Sequence, residues 1–130
     1  MYLFVFFIVI AILVGKYCIQ WVDKHETTRK LKNVQEKIIR EMEQQGLGIW
    51  PITVFDDPEE MKRAHRAFDS KNMKIVSADR ENKIYAVLGE HGEVYTIQNG
   101  HCSCMDFRAR KLPCKHMFFV NMMLDEKEER

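Results

Sequence analysis

Three cysteines and a histidine stand close together near the C-terminal end of the chain: Cys102 and Cys104, then nine residues, then Cys114 and His116. Thiolates and imidazole are donors that borderline-soft divalent metals take, and structural zinc sites place four of them at tetrahedral corners. A C-x-C pair grips one ion from a turn, and a C-x-H pair completes the set where a helix begins. The loop between the pairs closes the site. The mixed S₃N donor set favours zinc over iron, and the sequence has no C-x-x-C-H haem pattern. Four protein ligands leave no position for a reacting water, so one structural Zn²⁺ and no metal-centred catalysis are expected. His101 is an alternative fourth ligand to His116, and His91 is a further histidine nearby. Three thiolates on a divalent ion leave one negative charge in excess. Arg108, Arg110, Lys111 and Lys115 surround the ligands in sequence and can offset it, or contact a nucleic acid or protein partner.

These ligands need elements to hold them. After Lys74 the apolar pattern takes a period of two, and Lys74–Asp79, Lys83–Leu88 and Glu93–Gln98 read as three short strands rich in Ile, Val and Tyr. Glu90-His91-Gly92 suits a hairpin turn, and Asn99-Gly100 is a second turn signal directly before Cys102. Lys115–Leu124 reads as a short apolar helix starting at the last ligands. Upstream, Asp57-Pro58-Glu59-Glu60 has the composition of a helix start: a capping carboxylate, a proline at the first position, and acids near the positive dipole end. Met61, Ala64, Ala67 and Phe68 form the expected buried side of that helix, with His65 at its boundary. The expected fold class is α+β, with a zinc-binding domain over residues 47–130: helix, three-stranded antiparallel sheet, zinc loop, C-terminal helix. So small a sheet buries little apolar area, and a metal would offset the chain entropy.

At this point the sequence resembles a known family. The SWIM-type zinc finger has C-x-C, a variable spacer, then C-x-H, preceded by a small β-sheet. It is found in transposases, chromatin-remodelling ATPases, signalling kinases and DNA-repair accessory proteins. The matching residues are Cys102-Ser103-Cys104-Met105-Asp106-Phe107 and Pro113-Cys114-Lys115-His116, with Met105 where the family often has proline. Glu93-Val94-Tyr95-Thr96-Ile97 looks like the strand that enters the site. The similarity extends over about residues 61–120, with the finger itself at about 93–120. It implies a zinc-stabilised module that binds DNA or proteins, with Cys102, Cys104, Cys114 and His116 as ligands. Asp106 and Phe107 would brace the loop.

The first 46 residues lie outside the resemblance. Met1 to Gly15 carries no charged side chain, and the run continues through Lys16, Tyr17, Cys18, Ile19, Gln20, Trp21 and Val22. A bilayer-crossing helix takes about 20 apolar residues. A snorkelling Lys16 and interfacial Tyr17 and Trp21 make residues 1–22 an expected transmembrane helix. A signal peptide would need a basic start and a small-residue cleavage site, and a lipoprotein signal needs small residues before its cysteine. Neither is present. Basic residues Lys16, Lys24, Arg29, Lys30 and Lys32 all follow the uncharged run Met1 to Gly15, which puts the C-terminal domain in the cytoplasm, where thiols stay reduced. Cys18 reads as a palmitoylation site or as a small hydrophobe within the span.

Residues 23–46 read as a helical connector ended by Gly46 and Gly48. Leu31, Val34, Ile38 and Met42 form one stripe that would pack on the domain, lie on the membrane, or join a second copy as a homodimer through residues 31–42. Lys32–Glu36 and Glu36–Arg40 are spaced as ion pairs on its other face.

The 130 residues carry a net charge of +1, so no global field draws the chain to nucleic acid. There is no nucleophile–base pair, paired carboxylate site or phosphate-binding glycine loop to indicate an enzyme. The expected function is a membrane-anchored adaptor that binds a protein partner. The alternative is a module binding DNA or RNA through Arg108, Arg110, Lys111 and Lys115, against which Glu126, Glu128 and Glu129 are expected just beyond the final helix.

Overall fold

The computed structural model describes residues 2–128, and side chains from residue 7 to residue 127. Glu129 lies outside the described residues. The chain divides into two compact units, Met1–Val34 and Gln35–Arg130.

Helix α1 spans Tyr2–Gln44. In the first unit Ile8, Val9, Ile10, Ile12, Leu13 and Val14 are all exposed. Among the described residues no helix is long and apolar enough to cross a membrane. The expected 1–22 span therefore has no support from them; the side chains of residues 1–6, which open it, lie outside the description.

The second unit begins within the stretch expected as connector. Its stripe is divided: Met42 is fully buried in the core and Ile38 packs against it, whereas Leu31 and Val34 stay exposed. Among the described residues, the i,i+4 ion pairs on α1 are Glu26–Lys30 and Lys37–Glu41 rather than the expected Lys32–Glu36 and Glu36–Arg40. Lys37 also reaches Asp125, at 3.6 Å. The helix ends in a Schellman motif. Leu47 N–H donates to the Met42 carbonyl at 2.8 Å and Gly46 N–H to the Glu43 carbonyl at 3.1 Å. Gly46 has φ +74°, the left-handed conformation this motif needs. Leu47 and Met42, both fully buried, form the apolar contact that accompanies it. Tyr85 Oη then donates to the Gln45 carbonyl at 2.7 Å, tying the helix end to the sheet.

A 3₁₀ turn, Ile52–Asp56, delivers Val54 and Phe55 to the core. Helix α2, Pro58–Asp69, starts as its sequence dictates, with Asp57 accepting from Glu59 N–H. Ala67 is buried and Met61 and Ala64 pack beside it, but Phe68 is 71% exposed, so it is not part of the expected buried side. Glu60 takes a buried place instead.

The sheet has four antiparallel strands in the order β1-β2-β3-β4: β1 Lys74–Asp79, β2 Ile84–Leu88, β3 Val94–Gln98 and β4 His101–Cys102. The fourth strand was not expected. It forms because Asn99 (φ +52°) and Gly100 (φ +71°) make a two-residue turn that folds the chain back onto β3. A Cβ at Gly100 would lie 2.9 Å from Gly48 Cα, so the turn also needs glycine for close approach. A bulge between Ile75 and Ser77 interrupts the β1–β2 register.

The spacer between the ligand pairs, expected as a loop, contains helix α3, Met105–Arg110. Helix α4 is Lys115–Glu128, longer than the expected Lys115–Leu124, so Glu126 and Glu128 lie within it rather than beyond it. Met117, Phe118, Phe119, Val120 and Leu124 are buried, packed against α2 and the inner face of the sheet. That face presents Tyr85, Val87, Ile97 and Cys102.

Candidate metal centre

The four expected ligands converge. Their donor atoms all lie within 4.8 Å of one another, and every one of the residues is buried: Cys102 3%, Cys104 3%, Cys114 0% and His116 4% exposed. His116 Nδ1 faces the sulfurs, at 3.9 Å from Cys102 Sγ and 3.8 Å from Cys114 Sγ. A tetrahedral ion with arms of about 2.0–2.3 Å has edges of about 3.3–3.8 Å. A small inward shift therefore closes these atoms around a metal ion, and the residues fit one.

Each ligand is placed by a local backbone device. Cys102 sits on β4, opposite Ile97. Ser103 is pinned to β3 in both directions: its N–H donates to the Thr96 carbonyl, and Thr96 N–H donates to Ser103 Oγ, each at 3.0 Å. Cys104 caps α3, its sulfur accepting from Phe107 N–H at 3.3 Å. Cys114 precedes α4, and its carbonyl accepts from the N–H groups of Met117 and Phe118. His116 stands in the first turn of that helix and stacks on Tyr95, with ring centroids 4.3 Å apart. Tyr95 was not expected at the site, although its strand was.

The sulfurs share charge unequally. Hydrogen bonds from Cys102 and Cys114 hold the Cys104 thiol far below its ordinary value, against the effect of burial. The same contact with Cys104 pushes Cys102 up to about 12, and Cys114 is pushed up by Cys102, Cys104 and burial. The Cys104 sulfur is thus the acceptor for the other two. A divalent ion would convert all three to thiolates.

An ion-pair network ties the spacer between the two ligand pairs to α2. Arg110 donates to Asp106 at 2.6 and 2.7 Å, to the Pro113 carbonyl at 3.2 Å, and to Glu60. Arg63 joins the same two acids, Asp106 at 3.2 Å and Glu60 at 3.4 Å. Arg110 first, then Arg63, holds Asp106 below its ordinary range, whereas burial pushes Glu60 up against the pull of both arginines. Glu60 and Arg63 were not singled out as site residues. Their i,i+3 spacing on a helix was the available signal, and it is a common one.

The four expected contact residues separate accordingly. Arg110 is engaged inside the fold. Lys115 pairs with Glu90 at 3.3 Å. Lys111 stands over the Phe107 ring, 5.6 Å from its centroid, and Arg108 is exposed. His101 bonds the Asn99 carbonyl at 2.9 Å and is not among the clustered donors, so His116 is the histidine that stands with the three cysteines. Beside the cluster, a cleft of about 250 Å³ is lined by Arg63, Arg66, Asp106, Lys115 and the last two ligands. Protein-family models, curated proteins and solved structures were compared with the chain, and none matches it.

Proposed function

We propose that this protein is a membrane-tethered adaptor whose SWIM-type finger binds one structural zinc ion and presents a surface to a protein partner. The observation that carries the reading is the buried group Cys102, Cys104, Cys114 and His116, its donors within 4.8 Å. Zinc is preferred because a mixed S₃N set from four protein residues matches its structural sites. Bound there, the ion would cross-link β4, the cap of α3 and the start of α4. The SWIM assignment rests on Cys-Ser-Cys-Met-Asp-Phe and Pro-Cys-Lys-His, each now joined to a strand or a helix.

The tether is proposed from residues 1–22, which are apolar in sequence up to Gly15, and from the basic residues that follow them. The domain then faces the cytoplasm. A protein partner is favoured over DNA or RNA because Arg110 and Lys115 already have acidic partners within the chain, leaving Arg108 and Lys111 as a small patch.

The test is zinc content per chain, with wild type and Cys114→Ser compared. One zinc in the wild type, lost together with cooperative unfolding in Cys114→Ser, supports the reading. A folded wild-type chain without zinc overturns it.

A further inference from the structure

The sheet has two faces, and the helices cover one. By strand register, the opposite face carries three rows across β1, β2 and β3: Lys74–Leu88–Val94, Ser77–Ala86–Thr96 and Asp79–Ile84–Gln98. Ile84, Ala86 and Leu88 run down its middle strand, and the neighbouring Val94 is 56% exposed. The principal helix contacts of the sheet are α4 on β2, from the inner face, and α3 on β4. An apolar centre within a polar rim has the make-up of an interface.

We propose that this face joins a second copy of the chain, sheet against sheet, about a two-fold axis running across the strands through the Ser77–Ala86–Thr96 row. Charge complementarity of the face with itself favours a second copy. Such an axis keeps the middle row on itself and exchanges the outer two. Leu88 then meets the partner copy's Ile84, and Ala86 meets its own equivalent, where a small side chain lets the sheets approach. At the rim, Lys74 meets the partner copy's Asp79, twice by symmetry. Lys74 has no ion-pair partner among the described residues. Asp79 is exposed; it accepts from Asn82, at 3.0 and 2.8 Å, and from the Glu81 backbone N–H, and a carboxylate has about four acceptor positions. Aligned packing of two sheets is a standard arrangement. Pairing edge to edge is disfavoured, because the bulge between Ile75 and Ser77 breaks the outer hydrogen-bonding line of β1. This surface is distinct from the α1 stripe, and it does not depend on the identity of the metal.

The test is sedimentation equilibrium of the full zinc-loaded chain in mild detergent. Wild type is expected to dimerise. Lys74→Glu and Asp79→Lys are each expected to weaken the dimer by about tenfold, and the double variant Lys74→Glu/Asp79→Lys to restore it by reversing both pairs. Thr96→Arg, exposed and on the axis, sets two like charges together and is expected to weaken it too. A monomer at every concentration overturns the proposal. So does a dimer indifferent to both single charge changes, which would lie elsewhere, or a double variant no better than the singles. A different protein captured by wild type and lost in Thr96→Arg would assign the face to that partner and overturn the second copy.

Discussion

At the residue scale, the three sulfurs are not equivalent before metal binds. Cys104 sits far below its ordinary pKa, while Cys102 is pushed up to about 12 and Cys114 is raised as well. Protons and zinc compete for the same lone pairs, and near neutral pH two thiols still hold their protons. Loading should therefore release about two protons, and affinity should rise with pH by about a hundredfold per unit. Calorimetry in buffers of different ionisation enthalpy counts those protons; release of none would contradict this charge distribution. Arg110 makes a second residue-scale prediction. Glu60 is fully buried and pairs with Arg110 and Arg63, so Arg110→Ala leaves a buried carboxylate with the longer Arg63 contact alone. A loss of about 3 kcal/mol is expected in denaturant unfolding. Arg108→Ala, at an exposed position, should change stability by no more than about 0.5 kcal/mol.

At the element scale, the last turns of α1 belong to the domain. Met42 is fully buried, Ile38 packs beside it, and the helix-end carbonyl of Gln45 receives the Tyr85 hydroxyl. A chain starting at residue 35 should unfold cooperatively. One starting at residue 47 loses Met42 alone at a cost of about 2–5 kcal/mol. Thermal melts of the two chains check this, and equal stability would mean that α1 only borders the domain. The elements themselves were largely legible. β1 matches its expected bounds, and β2 and β3 begin one residue later than expected. The cap at Asp57 and the turn at Asn99-Gly100 act as their residue types dictate. The two-residue β4 and the six-residue α3 were not legible, being too short to show a period. They exist because a turn and a capping sulfur impose them.

At the scale of the whole molecule, the two units have different surfaces. Residues 7–34 leave large apolar side chains exposed, whereas residues 35–130 enclose a core. If residues 1–22 tether the protein, alkaline carbonate should leave the full chain in the membrane pellet and release a chain lacking those residues. Release of both would reject the tether. The Cys3His cluster was readable by itself, because four donors in two tight pairs are rare by chance and their spacing limits how they can meet. Composition likewise separated an apolar start from a polar body. Tertiary structure placed His116, already the preferred histidine, with Nδ1 within 4 Å of two sulfurs, and left His101 outside the cluster. It also decided the fate of the basic residues: in sequence Arg110 resembles Arg108, but α2 places Glu60 against one and leaves the other in water. The stripe on α1 was divided in the same way, Met42 to the core and Val34 to the surface. Residue type and spacing set what a side chain is able to do. Which of those things it does depends on the neighbours that distant segments bring, and local pattern carries no record of them.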